Sequence, residues 1–131
     1  MIAFAICAAL GCVPTLLLHE FAHVVVFRLA GARVESFRPW PHRHDGRWYF
    51  GRVVADRALD ARWALRSACA PLAKANAMLA LWLVLAATTG IWALGLALWE
   101  AIDVANWWQG WIRQRPNDGG RARRLLTEAQ I

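Results

Sequence analysis

The hydrophobic pattern divides the chain into three long apolar runs, over residues 1–30, 67–87 and 91–112. A helix of about 20 apolar residues crosses the hydrocarbon layer of a membrane, and each run is long enough to do so. The second and third runs are separated only by Thr88–Gly90, a short uncharged stretch typical of a tight turn. The pattern therefore predicts three membrane-spanning helices.

The segment between the first two runs, residues 31–66, is rich in arginine and has a different pattern. Its β-branched and aromatic residues predict strands at Arg33–Trp40 and Arg47–Val54, followed by an amphipathic lead-in at Ala58–Arg66. The predicted turn contains Pro39, Pro41, Asp45 and Gly46. A β-hairpin at the membrane surface is expected here.

The last segment, residues 113–131, is predicted to hold an Asp-Gly-Gly loop and a basic tail. The fold class expected from the whole pattern is a membrane protein, mainly α, in which a membrane-associated β-hairpin separates the first and second of three transmembrane helices. The chain is expected to be one unit over 1–131.

Composition and charge agree with a membrane location. Hydrophobic residues make up 59% of the 131 residues, against about 45–50% in soluble proteins. So short a soluble chain could not bury that much apolar surface. The net charge is +6, and the basic residues lie in blocks beside the apolar runs, as in membrane proteins whose cytoplasmic segments are positive. We expect a multi-pass protein of the cell membrane, N-terminus outside and C-terminus cytoplasmic, without a nucleic-acid partner.

The first apolar run contains the motif His19-Glu20-Phe21-Ala22-His23. Two histidines four residues apart lie on one face of a helix and can bind one Zn²⁺. Glu20 is adjacent and can take a proton from a water activated by the metal. Ionisable residues deep in a span are costly and usually functional. The run lacks the basic start of a signal peptide, so we expect it to be retained.

A catalytic zinc site needs a third protein ligand. Carboxylates and histidines elsewhere in the chain are the candidates: Asp118, Glu100, Asp103, His42 and His44. The two histidines lie in an arginine-rich surface turn, where solvated side chains are typical. Asp118 is better placed, at the same cytoplasmic end as His23, although its Asn-Asp-Gly-Gly context is equally that of an ordinary loop.

Polar residues also recur at helical spacing along the third run, namely Glu100, Asp103, Asn106 and Gly110. Lys74, in the second run, is predicted at a similar depth. A charge within a membrane normally has a partner. We therefore expect Lys74 to pair with Asp103 or Glu100 beside a water-accessible cavity, most simply as an ion pair that locks the helices.

Three motifs together resemble those of the site-2 protease family of intramembrane zinc metalloproteases. These are His19–His23, the central Ala70-Pro71-Leu72-Ala73 and the late Asp118-Gly119-Gly120-Arg121, in family order and spanning nearly the whole chain. The chain departs from the family pattern in the approach to Asp118-Gly119, where Asn106 lies too far upstream to match the usual asparagine, and at two further positions. Ala70 stands where a glycine is usual, and Lys74 stands where an asparagine is common.

The resemblance implies a zinc metalloendopeptidase that holds one Zn²⁺ per chain through His19, His23 and Asp118. Glu20 would be the general base, and the substrates would be membrane-spanning helices received as an extended strand beside the hairpin. The substrate-positioning groups stay open, with Lys74, Asn76 and Asn106 as candidates.

The main alternative is a non-catalytic membrane protein that binds metal, transmembrane helices or both. A purely structural membrane protein or a metal carrier would not need a carboxylate base at Glu20, beside the two histidines. A di-iron membrane oxidase would need many more histidines than the four present. The oligomeric state and the identity of the substrate stay open.

Overall fold

The chain forms a bundle of helices with a hairpin attached. The structure is a computed structural model that describes residues 1–44 and 46–129. Asp45 of the predicted turn and the last two residues of the predicted tail lie outside the described residues. The elements are α1 (Ile2–Leu10), α2 (Cys12–Leu29), β1 (Val34–Arg38), β2 (His42–His44), β3 (Arg47–Tyr49), β4 (Arg52–Ala55), α3 (Ala61–Thr89), α4 (Trp92–Arg113) and α5 (Asp118–Glu128).

The first apolar run forms two helices that are separated by a single residue, Gly11. Pro14 has no N–H to donate to the Leu10 carbonyl, and its ring crowds that carbonyl. Helix α1 accordingly ends at Leu10, and Pro14 lies in the first turn of α2, where proline is tolerated. The two helices together, Ile2–Leu29, are still long and apolar enough to cross a membrane.

The hairpin is present but is divided into two strand pairs. Strands β1 and β4 pair antiparallel, with Arg38 opposite Arg52. Strands β2 and β3 form a second antiparallel pair, with His42 opposite Tyr49. The prediction that the turn begins at Pro39 was therefore wrong, because His42–His44 is a strand. The residues between the two pairs interrupt the ladder, and the prolines there supply no N–H to it.

The second apolar run belongs to a longer helix. Asp60 caps α3 by accepting a hydrogen bond from the Trp63 backbone N–H at 2.9 Å. The helix continues from there to Thr89 and ends at Gly90, whose φ of 118° favours glycine. The predicted lead-in and second span are thus a single element. Two helical stretches, Ile2–Leu29 and Ala61–Thr89, are long and apolar enough to cross a membrane, which favours membrane association.

Helix α4 lies at the centre of the packing, in contact with α1, α3 and α5. A Cβ on Gly95 would lie 2.6 Å from the Ala8 nitrogen, so this glycine lets α1 and α4 approach closely. Near the other end, Trp107 is buried with Ala68 of α3 and Ala122 of α5. The start of α5 is therefore fixed against the bundle, and the prediction of a loop and tail over 113–131 was wrong where α5 forms.

Candidate metal centre

The two histidines of the H-E-x-x-H motif lie one turn apart on α2 and face the start of α5. Their ring centroids are 5.5 Å apart. His23 is buried and His19 is half-buried. Regular helix geometry explains this local arrangement, since residues four apart share one face.

Asp118, the first residue of α5, completes the group. Its Oδ2 lies 3.2 Å from His19 Nε2 and 3.4 Å from His23 Nε2. The ligand atoms of the three residues all lie within 4.8 Å of one another, which makes them a possible metal-binding group. Of the predicted candidates for a third ligand, Asp118 is the one whose oxygen meets both histidines.

The turn between α4 and α5 positions Asp118. A Cβ on Gly119 would overlap the Trp107 carbonyl oxygen, so α5 can start this close to α4 only with glycine there. Asn117 donates from Nδ2 to the Asn106 carbonyl at 2.8 Å, and its Oδ1 accepts from the Gly120 backbone N–H at 3.1 Å. The side chain of Asn117 thus caps α5 and ties it to α4.

Asp118 is held as a carboxylate. Burial alone would raise the pKa of its carboxyl group, but the hydrogen bonds and charges of His19 and His23 outweigh burial and lower it. The pKa therefore lies well below the ordinary range of an aspartate. An ionised oxygen at this position is the form that ligates a cation.

The other nitrogen of each histidine ring also has a partner. His19 Nδ1 lies 3.0 Å from Oδ1 and 3.1 Å from Oδ2 of Asp103, and His23 Nδ1 lies 3.0 Å from Ser67 Oγ. In the metal-free protein Nε2–H of a protonated His19 can donate to Asp118; with Nδ1–H donating to Asp103, loss of the Nε2 proton would leave a lone pair there for a cation bound between the ring and Asp118. Sequence reasoning missed Ser67, because a buried serine in a helix carries no signal of its partner.

Glu20 is buried against the middle of the hairpin, at Gly51. A Cβ on Gly51 would overlap the Glu20 carboxyl group, so the backbone between β3 and β4 lies directly against the side chain predicted to be the base. Sequence reasoning did not single out Gly51. The available signal was a glycine inside a strand-like run, which often marks close backbone approach.

The predicted ion pair of Lys74 is confirmed, and it involves both acids. Lys74 Nζ lies 2.8 Å from Glu100 Oε2 and 3.0 Å from Asp103 Oδ2. Glu100 Oε1 also accepts a hydrogen bond from Thr15 Oγ1 at 3.1 Å. These contacts form a continuous polar cluster between the helices. It begins at Thr15 on α2, passes through the acids of α4 and Lys74 of α3, and ends at His19 on α2.

The remaining predicted residues lie apart from this group. Asn76 is exposed on α3 and donates to the Leu72 carbonyl of its own helix at 2.9 Å. Asn106 is exposed on α4, and its described bond is made by its backbone carbonyl. His42 and His44 lie in β2, beside Arg38 and Arg52 on one face of the hairpin. The structure brings none of their side chains into the described hydrogen bonds of His19, His23 or Asp118.

Comparison with models of known protein families, with curated proteins and with solved structures gives no match. Inference about function therefore starts from the chain's own residues and geometry.

Proposed function

We propose that this chain is an intramembrane zinc metalloendopeptidase that hydrolyses peptide bonds of membrane-spanning helices, similar in type to the site-2 proteases. The observation that carries the proposal is the meeting of His19, His23 and Asp118, with Glu20 next to His19 on α2. The resemblance of the three sequence motifs agrees with this arrangement.

The donor set fits zinc. Two imidazole nitrogens and one carboxylate oxygen are a common set for catalytic zinc, which keeps a fourth position for water. Tetrahedral ligands about 2.0–2.1 Å from a zinc ion lie about 3.3 Å from one another. The distances from Asp118 Oδ2 to the two Nε2 atoms, 3.2 and 3.4 Å, match that spacing.

The charge of the surroundings also favours a dication. Glu20, Glu100, Asp103 and Asp118 supply four carboxylates among the helices, and Lys74 supplies one ammonium. With neutral histidines, the excess is three negative charges in a poorly solvated interior, which is costly unless it is neutralised. A divalent cation at the histidines offsets two of the three.

The surface of α4 supports a third membrane span beside the two apolar stretches. Its 22 residues extend about 33 Å at 1.5 Å per residue, enough for a hydrocarbon core of about 30 Å. Leu94, Leu98 and Ile102 form an exposed apolar stripe, at 39%, 48% and 46%. Its acids face inward, where Glu100 and Asp103 bond to neighbouring helices. Lipid would cover the stripe, and the ion pairs would satisfy the acids.

In peptide-bond hydrolysis at this site, the residues of the chain would have distinct roles. A bound zinc ion would activate a water molecule and polarise the scissile carbonyl. His19, His23 and Asp118 hold the three protein positions around that ion. Glu20 accepts the proton of the attacking water at its carboxylate and delivers it to the leaving amine.

The substrate must reach the site as an extended chain. A helix in lipid satisfies its own backbone hydrogen bonds and hides its carbonyls, so it must unwind before hydrolysis. The two-stranded pair of β1 and β4 could accept an added strand along an edge. Gly51, the residue directly before β4, contacts Glu20 and supports this placement, because a strand added beside β4 there would run close to the base.

Metal content is the first test. The detergent-purified wild type is expected to contain about one zinc per chain by elemental analysis, and Asp118→Ala is expected to lose most of it. Arg121→Ala, an exposed neighbour on α5, is the matched control and should retain the metal. Zinc-free wild type after incubation with zinc would overturn the proposal.

Cleavage is the second test. The probe is a synthetic lysine-flanked helix of about 20 apolar residues with Asn-Gly at its centre, where unwinding is easiest. Wild type is expected to cleave it, while Glu20→Gln keeps zinc and loses cleavage. A zinc-loaded wild type that binds this helix and leaves it intact would favour the non-catalytic alternative.

A further inference from the structure

Asp103 makes a contact that neither the H-E-x-x-H motif nor the family resemblance predicts. Both of its carboxylate oxygens lie within hydrogen-bond distance of His19 Nδ1, at 3.0 and 3.1 Å. The opposite nitrogen of the same ring, Nε2, is the one that faces Asp118. Asp103 therefore lies behind His19, on the side of the ring away from the candidate metal position.

We infer that Asp103 is the residue that positions His19 for the metal, and that Lys74 holds Asp103 in place. This inference rests on the proposed zinc site. A carboxylate that accepts from Nδ1–H fixes the tautomer and orientation of a ligating imidazole and makes Nε2 a better donor to the metal. The ammonium of Lys74 is then engaged by Asp103 and Glu100.

The arrangement around Lys74 explains how the carboxylate stays in place. Lys74 Nζ donates to Asp103 and to Glu100, and Glu100 in turn accepts from Thr15. Glu100 is only 1% exposed, so its carboxylate is stabilised by these two partners and not by water. The chain of contacts begins on α2 at Thr15 and returns to α2 at His19, one turn further along the same helix.

The two histidines are supported differently. His19 contacts a carboxylate, whereas His23 contacts the hydroxyl group of Ser67, a neutral partner. Charge-assisted hydrogen bonds are roughly twice as strong as neutral ones. Loss of the partner of His19 should therefore weaken metal binding more than loss of the partner of His23.

A purely structural role makes a different prediction. If Lys74, Asp103 and Glu100 only locked the helices together, their replacement would destabilise the metal-free fold and leave the affinity of the folded protein for zinc unchanged. The positioning role predicts weaker zinc binding by protein that is still folded. Metal affinity, measured beside the stability of the metal-free protein, separates the two.

The experiment compares zinc affinity, by competition with a chelator, in purified wild type, Asp103→Asn and Asp103→Ala. We expect the affinity to fall ten- to a hundredfold in Asp103→Ala. Asp103→Asn should lose less, because its amide oxygen still accepts from Nδ1–H. Ile102→Ala, the lipid-facing neighbour on α4, is the matched control and should bind zinc as wild type does.

Lys74 is tested with Lys74→Met and Lys74→Arg. The methionine variant should lose affinity as the asparagine variant does, and the arginine variant should recover it because the charge is restored. The visible absorption of the Co²⁺-loaded proteins gives a second readout, since a displaced His19 alters the cobalt coordination even at saturation.

The outcomes are distinct. Wild type without zinc overturns the proposed function and this inference together. Wild type with zinc, beside folded Asp103 variants of equal zinc affinity and unchanged cobalt absorption, overturns the inference alone. If Asp103→Ala does not fold, the comparison of wild type with Asp103→Asn and Lys74→Met decides between the two roles.

Discussion

Gly51 lies against the carboxyl group of Glu20, so closely that a Cβ on Gly51 would overlap that carboxyl. The hairpin backbone and the candidate base are therefore in close contact. A larger side chain at position 51 would displace the carboxyl group of Glu20. This contact couples the strand pair predicted to receive substrate to the residue predicted to move the proton.

Replacement of Gly51 tests this contact. Gly51→Ala is expected to lower cleavage of the synthetic helix at least tenfold, because displacement of a catalytic group by about 1 Å can cost a hundredfold in rate. Zinc content should stay unchanged, since the three candidate ligands lie elsewhere. Gly46→Asn is the control in the same hairpin, because a Cβ at Gly46 meets nothing within 4 Å and asparagine tolerates its φ of 77°. Equal cleavage by Gly51→Ala and wild type would contradict the coupling.

The turn that starts α5 makes a second prediction. Gly119→Ala places a Cβ onto the Trp107 carbonyl oxygen, so α5 must move away from α4 and carry Asp118 with it. Both zinc content and stability should fall, the latter by about 1–3 kcal/mol as in other overpacked sites. Elemental analysis and unfolding in mixed detergent micelles measure the two. Normal zinc content in Gly119→Ala would show that Asp118 does not depend on this turn.

The tryptophans near the end of α4 give a prediction about stability alone. Trp107 Nε1 donates to the Ala68 carbonyl at 2.8 Å, and the side chain is buried between α3 and α5. Trp107→Phe should therefore lower the free energy of unfolding by about 1–2 kcal/mol through the lost hydrogen bond and the smaller buried side chain. Trp108→Phe, at a side chain that is 48% exposed, should change it by less than about 0.5 kcal/mol. Equal effects would contradict the packing described.

Membrane topology is tested by cysteine labelling in cells. In a background without Cys7, Cys12 and Cys69, we expect Thr89→Cys to react with a membrane-impermeant maleimide added outside. Arg43→Cys, in the hairpin, should react only after the membrane is opened, because arginine-rich segments stay cytoplasmic. External labelling of Arg43→Cys in intact cells would reverse the proposed orientation.

The sequence predicted best what depends on regular helix geometry. The spacing of His19 and His23 places them on one face whatever the rest of the chain does. The pairing of Lys74 with acids of α4 followed from the high energy of an isolated charge in an apolar span.

Other features depend on contacts that local pattern does not contain. Spacing alone left Asp118 equally a ligand and a loop residue, because its position depends on how closely α5 packs on α4. The break after Leu10 can be inferred from Pro14, because proline cannot donate to the carbonyl four residues earlier. Ser67 and Asp103 became visible as partners of the histidines only in three dimensions.

The candidate ligands come from distant parts of the chain, with His19 and Asp118 separated by 99 positions. During synthesis, His19, Glu20 and His23 therefore leave the ribosome before Asp118 does. A nascent chain holds two ligands and a base without the third ligand. Any hydrolytic capacity of the proposed site would thus begin only after α5 has been made and has docked.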